Sequence, residues 1–486
     1  MSHLQSQVIH GVFWRFSEQF GTQIISFVVS VLLARILGPE EFGTVALLTI
    51  FLAISQSLVN GGLGISLIRK AEIDDLDLNS VFYFNLAFSG LMYFVLFFSS
   101  PLIADFYDKP ILIPVLRVSS LTLLFGAVNG VQNAVLTRGM LFAKSFWITL
   151  PGTIVHGAVG IVMAYCGCGL WSLVWSTIAG TAASTLLRWF LIGWRPSRRF
   201  SFVRLDALFK FGSRMLATSL IATFSDQIYG LLIGKWYSAK DLAFFNRGDH
   251  IPQMLMNTVQ ASISGVTLPA LSKMQNDNDR LRNAVRKINR TSTFVICPMM
   301  FGLAAISETL VRILLTEKWI PSVPYMRLMC LTCAIWPVYV VNLQVIAAKG
   351  KGSLYLVLEI AKKVSLLFML FLTFRHGVLA IAVGRAALTP VCVLINSWPN
   401  GKLIGYSSFA QICDITPNLL ISALMAVVVL AIGEIAMPQY LLLAVQIVCG
   451  ICIYFAMVFV FQRQQMSFLI DRIRNHFSTE KKQSGF

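Results

Sequence analysis

Apolar stretches long enough to cross a bilayer recur along the chain, separated by short polar connections. A spanning helix needs roughly 20 apolar residues, and on that measure about fourteen segments follow one another. They centre near Ile25, Ile54, Met92, Leu124, Val155, Ile178, Ile221, Val259, Ala304, Ile335, Leu366, Ala382, Met425 and Gly450. The pattern predicts an all-α integral membrane protein with no sizeable soluble domain. The first segment, GVFWRFSEQFGTQIISFVVSVLLA from Gly11, ends as pure hydrocarbon yet opens with Arg15 and Glu18. Its polar residues Arg15, Glu18, Gln19, Thr22, Gln23, Ser26 and Ser30 recur at helical spacing and form a stripe on one face. Segment 7 repeats this with Arg214, Thr218, Ser225, Asp226 and Tyr229. Segments 2, 4 and 8 add Gln56 and Asn60, Asn129 and Asn133, and Asn257 and Gln260. A charge at the bilayer centre costs roughly 2.5–3.5 kcal/mol on insertion scales, so these stripes should face water or a partner.

Composition agrees with the pattern. Of 486 residues, 56% are hydrophobic and 13% charged, too few charges to cover a soluble surface. The net charge of +17 is unevenly spread. Even-numbered connections and the tail carry most Lys and Arg, including Arg69, Lys70, Arg138, Arg188, Arg286, Lys349 and Lys481. Odd-numbered connections carry Arg35, Lys109, Lys235, Lys240, Arg247, Lys318 and Arg375. Cations in short loops stay inside, so both termini are expected in the cytoplasm. Topology then accounts for the basic charge, and no nucleic-acid partner is needed. The start, MSHLQSQVIHG, lacks a basic n-region and a small-residue cleavage site, so no removable signal peptide is expected. The amphipathic stretch SKMQNDNDRLRNAVRKINR from Ser272 is expected to lie along the inner membrane surface.

The chain also repeats itself. ARILGPEEFGTVAL from Ala34 aligns without a gap with GKWYSAKDLAFFNR from Gly234. IPVLRVSSLTLL from Ile113 and VPYMRLMCLTCA from Val323 share Pro-x-x-Arg-x-x-x-Leu-Thr. Segments 1–6 thus look like a copy of segments 7–12 in the same orientation, with two segments appended. The expected organisation is an N-lobe at 1–193, a linker at 194–208, a C-lobe at 209–397, two further helices at 398–461 and a basic tail at 462–486.

Within this frame the candidate lumen cations are Arg15, Arg117, Arg214, Arg327, Lys362, Lys363 and Arg385. Glu18 and Asp226 are candidate ion-coupling carboxylates, and the six amides of segments 2, 4 and 8 are candidate polar lining. Each has a plainer reading. Arg15 and Glu18 can pair near the cytoplasmic end, and Arg117 and Arg327 can snorkel to outer headgroups. Glu308 and Arg312, four apart, read as a structural pair. Cations outnumber the acids Glu18, Asp226, Glu308 and Glu359, and such a lumen suits an anion, with arginine well shaped for phosphate.

Other chemistry finds little support. Cys330 and Cys333, like Cys449 and Cys452, sit in apolar helices and read as core packing rather than metal ligands. DDLD from Asp74 reads as a helix cap rather than a metal site. KGKGS from Lys349 lacks the spacing of a nucleotide-binding loop. Neither cofactor nor metal is expected.

The run LLARILGPEEFGTVAL after segment 1 and LPALSKMQNDNDRLRNAVRKINR from Leu268, with Pro269, Ser272 and Gln275, carry a family resemblance. The chain resembles the polysaccharide transporter branch of the multidrug/oligosaccharidyl-lipid/polysaccharide (MOP) exporter superfamily, the O-antigen and colanic-acid flippases of Wzx or WzxC type. The resemblance implies two six-helix lobes, two extra helices and a V-shaped, MATE-like central cavity rich in cations. It also implies a non-enzymatic flippase in a bacterial inner membrane. Its substrate would be an undecaprenyl-pyrophosphate-linked oligosaccharide, with membrane lipids and polysaccharide polymerase or assembly proteins as partners. The drive would be the membrane potential or H⁺/Na⁺ antiport. Two alternatives stand beside it. A multidrug extruder of the same superfamily would favour an acidic lumen, and a polymerase would be expected to carry a large outer loop.

Overall fold

A computed structural model of the chain describes residues 2–70 and 72–461, and the expected basic tail lies outside them. Helix α1 (Ser2–Ile36) is followed by α2 (Pro39–Asn60), which α3 (Leu63–Arg69) continues past Gly61 and Gly62. Both glycines have positive φ, at 55° and 68°, a region where any side chain would be strained. Next come α4 (Asp75–Phe106), α5 (Leu112–Ser119), α6 (Thr122–Arg138), α7 (Phe142–Tyr165), α8 (Trp171–Leu191) and α9 (Phe202–Trp236). Then follow α10 (Ala239–Lys273), α11 (Asn278–Leu315), a 3₁₀ turn at Glu317–Ser322, and α12 (Val323–Ala348). The series closes with α13 (Gly352–Thr373), α14 (Val378–Ile404), α15 (Ser408–Gly433) and α16 (Gln439–Phe461). No strand occurs among the described residues.

Every predicted segment centre falls inside a helix. Among the described residues, 11 helical segments are long and apolar enough to cross a membrane. The segments predicted near Ile178, Val259 and Leu366 sit on α8, α10 and α13, which are not among those 11. DDLD does begin a helix: Asp74 accepts the Asp77 N–H at 2.9 Å and caps α4. Asp77 itself is buried and pairs with Lys70.

The internal repeat has a structural counterpart. Helices α1 and α9 are each 35 residues long. One shift of 200 residues carries the end of α1 onto the end of α9, and the start of α2 onto the start of α10. The matched arginines also act alike. Arg117 Nε donates to Ser100 Oγ at 2.9 Å, and Arg327 Nε donates to Ser307 Oγ at 3.1 Å.

One expectation needs correcting. The amphipathic stretch around Arg280–Arg290 is not a separate surface helix, because α11 runs unbroken for 38 residues. Its apolar face belongs to the protein: Leu281 and Val285 are fully buried against Leu271, Val341, Val345 and Tyr406. Arg286 and Arg290 from the same stretch both pair with the buried Asp414 of α15, which also accepts from the Tyr406 hydroxyl at 2.8 Å.

Packing divides the chain into two compact units, Met1–Phe244 and Phe245–Phe486. In the first, α1 packs on α7, α7 on α8, and α2 on α9. Leu63, Leu67, Val81, Val131 and Leu208 form one of its cores. In the second, α11 packs on α12 and α15, and α12 on α14. Phe294, Met425, Val429 and Tyr454 tie α11, α15 and α16 together there, and the Tyr454 hydroxyl donates to the Phe294 carbonyl at 2.7 Å. Large apolar residues such as Phe98, Phe190 and Phe371 remain exposed on helix faces, as a lipid-facing surface requires.

Candidate functional site

In the first unit, polar chemistry converges on Glu18. The α1 stripe turns this residue against α7, where close approach is possible because Gly157 receives Val29 of α1. Glu18 is buried. Its Oε1 accepts from Ser145 Oγ at 2.8 Å and from Thr149 Oγ1 at 3.0 Å. Arg15 Nη1 stands 3.5 Å from Oε2, while most of the Arg15 side chain is exposed. Two hydroxyl donors and a neighbouring cation hold the carboxylate in an apolar bundle, which meets the general demand on buried charge. The Glu18 charge also acts on Arg188 of α8, whose Nη1 donates to Asn133 Oδ1 at 2.7 Å. Asn129 Nδ2 donates to Thr185 Oγ1 at 2.9 Å. Both predicted lining amides of segment 4 therefore fasten α6 to α8.

Elsewhere in this unit, Gln56 donates to Asn60 Oδ1 at 3.3 Å along α2. Asp226 is exposed on α9, with no ion pair among the described residues. Arg117 lies over the Phe97 ring at 4.1 Å besides its bond to Ser100. The Arg214 side chain lies outside the described residues.

In the second unit the predicted cations sit in three separate groups. Arg327 bonds to Ser307 and stands 3.5 Å from Glu308, which also holds Arg312 at 3.1 Å. Lys362 of α13 is buried, 2.6 Å from Glu359, and donates to the Tyr339 hydroxyl at 2.8 Å. Its neighbour Lys363 is half-buried. Arg385 of α14 pairs with Asp249 of α10 at 3.3 Å. Asn257 is exposed, and the Gln260 side chain lies outside the described residues.

Sequence reasoning missed Asp249 and Arg188, and it placed Arg247 in an outer loop. In fact α10 starts at Ala239, so Arg247 and Asp249 both lie within a helix. Arg247 is buried with its guanidinium 4.9 Å over the Trp319 ring. Arg188, expected among the loop cations, belongs to the last turn of α8. Asp249 joins the acids and pairs with Arg385, while Arg188 and Arg247 join the helix cations, so the cation excess stands.

Residues 32–324 match the family described as "Polysaccharide biosynthesis protein". The chain is 24% identical over 416 residues to the succinoglycan biosynthesis transport protein ExoT of Rhizobium meliloti (strain 1021), covering 85% of this chain and 82% of that one. It is 24% identical over 339 residues to the lipopolysaccharide biosynthesis protein WzxC of Escherichia coli (strain K12), covering 67% of each. In fold it is similar to the lipid II flippase MurJ in an inward closed conformation, with TM-score 0.72 and 15% identity over 93% of this chain and 99% of MurJ. It is also similar to an inward-facing multidrug resistance MATE family transporter of the MOP superfamily, with TM-score 0.59 and 16% identity over 79% of this chain and 96% of that one. The chain thus belongs to the polysaccharide biosynthesis protein family and has the all-helical membrane fold shared with MurJ and the MATE transporters.

Proposed function

We propose that the protein is a flippase. It moves undecaprenyl-pyrophosphate-linked oligosaccharide repeat units from the cytoplasmic to the outer leaflet of a bacterial inner membrane. Membership of the polysaccharide biosynthesis family carries this reading, supported by relatives named as transport proteins. Two six-helix lobes at 1–193 and 209–397 alternate in access, both termini are cytoplasmic, and the chain performs no covalent chemistry. Arg15, Arg214 and Arg385, with Lys362, Lys363, Arg117 and Arg327, serve the anionic head of the substrate. Glu18, held by Ser145 and Thr149, is the preferred ion-coupling carboxylate over the exposed Asp226. A pyrophosphate diester carries about two negative charges, and an inside-negative potential drives each outward with a gain of roughly 2.3 kcal/mol per 100 mV.

The test is made in a strain depleted of the protein, with a membrane-impermeant label for lipid-linked sugar on sealed spheroplasts. Accumulation of completed repeat units on the inner leaflet is the expected result. Accumulation of single units on the outer leaflet would point instead to polymerisation, and unchanged lipid-linked sugar to export of another substrate.

A further inference from the structure

The exposed face of α11 changes character just past Arg290. Lys287, Thr291, Val295 and Met299 recur every four residues and are all exposed, so they form one stripe that passes from charge to hydrocarbon. A span of roughly 20 residues counted back from Leu315 reaches Val295. At about 1.5 Å per residue, Arg290 and Arg286 stand roughly 7 and 13 Å beyond that edge of the hydrocarbon. Their long stems bring both guanidiniums within reach of lipid headgroups.

Retention of cations on one side of the membrane explains their number but not their convergence. Asp414 Oδ1 accepts from Arg286 Nη2 at 2.8 Å and from Arg290 Nη2. Oδ2 accepts from the Tyr406 hydroxyl at 2.8 Å and lies 2.6 Å from Arg286 Nε. These donors fill the acceptor sites of one carboxylate, while each guanidinium carries more N–H groups than Asp414 engages. The Arg286 and Arg290 side chains are 49% and 40% exposed, against 5% for Asp414. Arg290 Nε has no partner among the described residues. Two guanidiniums against one carboxylate leave one positive charge over. Farther along α11, by contrast, Arg280 and Arg282 each have an acid of their own, Asp277 at 3.0 Å and Asp279 at 2.8 Å.

We propose that Arg286 and Arg290, set side by side by Asp414 at the seam of α11 and α15, bind the headgroup phosphate of an anionic bilayer phospholipid. A phosphodiester carries one negative charge, which matches the charge left over. Guanidiniums suit its planar pairs of oxygens, and basic pockets between membrane helices are known sites for such headgroups. The acyl chains lie along Val295 and Met299, on the exposed stripe below the arginines. Asp414 comes from α15, which follows the twelve repeated segments assigned to transport, so the seam fits a resident lipid rather than the transported one. Bound there, the lipid joins α11 to α15 at the headgroup level.

The test uses purified full-length protein in detergent and native mass spectrometry, with phosphatidylglycerol as the probe and phosphatidylcholine as the zwitterionic reference. Wild type is expected to hold phosphatidylglycerol about fivefold or more tighter than phosphatidylcholine. The triple variant R286Q/R290Q/D414N removes both guanidiniums without stranding a buried carboxylate, and is expected to lose that preference. R280Q lowers the net charge by the same amount, and is expected to change the preference by less than about twofold. In R286Q alone, Arg290 and Tyr406 still hold Asp414. This variant is expected to weaken phosphatidylglycerol binding about threefold or more, and it carries the test should the triple variant fail to fold. Equal binding of the two lipids by wild type overturns the inference, as does an unchanged preference in a folded triple variant. Equal losses in R280Q and R286Q overturn it too, since diffuse charge then accounts for binding. Undecaprenyl pyrophosphate binding about tenfold tighter than phosphatidylglycerol, with the same dependence on Arg286, also overturns it and gives the seam to the transported lipid.

Discussion

Glu359→Gln separates a structural from a substrate-handling role for Lys362. The Lys362 side chain is 5% exposed and that of Glu359 30%, with 2.6 Å between their charged atoms. Breaking one half of a well-buried pair costs about 3–5 kcal/mol, because the partner charge is left uncompensated. Two features reduce that here. Glu359 is partly solvated, and Lys362 keeps the Tyr339 hydroxyl at 2.8 Å with the ring centroid 4.5 Å away. We expect about 2–3 kcal/mol for E359Q, after allowing for solvent screening. For a unit of this size that lowers the unfolding midpoint by roughly 5–10 °C. The assay is thermal unfolding in detergent, read by a thiol-reactive dye. Cys297, Cys330 and Cys333 are free and buried, so they label only as the second unit opens. The double variant E359L/K362M, which removes both charges, should recover most of the loss. Its transport then decides the role. A stable but inactive double variant makes Lys362 a substrate cation, and a stable active one makes the pair structural. An E359Q protein as stable as wild type would refute the reasoning.

Three further outcomes are expected. Glu18→Gln should change stability by less than about 1 kcal/mol, because the amide oxygen still accepts from Ser145 and Thr149. Proton-coupled translocation in proteoliposomes should nevertheless fall about tenfold or more if Glu18 carries the ion. Gly43→Ala would place a carbon 1.8 Å from the Ala239 carbonyl oxygen, forcing α2 away from the start of α10. A cysteine at the buried Thr44 should then label with a water-soluble maleimide only in the Gly43→Ala background. Asp74→Ala should cost about 1 kcal/mol through loss of the α4 cap. The Asp77 N–H holds the Asp74 carboxyl below its ordinary value. The cap's contribution is therefore present above the ordinary carboxylate range and fades as pH falls through it, which a series of unfolding midpoints from neutral to acid pH will show.

The helices were legible because a bilayer imposes length and apolarity on contiguous residues, and both can be counted along the chain. Pairings were not, since they join positions far apart in sequence. Nothing local says that Glu18 will meet Ser145 and Thr149 on another helix. Asp249 was missed for a different reason. The polar run from Ser238 to His250 resembles a loop, and local hydropathy favours that reading. The signal that could have found it was present in the repeat. If Pro39 starts a helix, then Ala239 does too, and Arg247 and Asp249 fall two to three turns inside it. The Arg117 and Arg327 equivalence, by contrast, could be read because a shared motif marked both.

The matched 35-residue helices α1 and α9 bear on how such a chain arose. A half with an even number of crossings has its two ends on the same side of the membrane. Two copies can then be fused end to end without reversing either one, and the same charge bias orients both. No inversion of loop cations is needed, as it would be for halves with an odd number of crossings. Gene duplication followed by a short joining segment is enough. At the positions matched by the shift of 200, Glu18 and Thr218, one half holds a carboxylate and the other a hydroxyl, so the two halves need not share one chemistry.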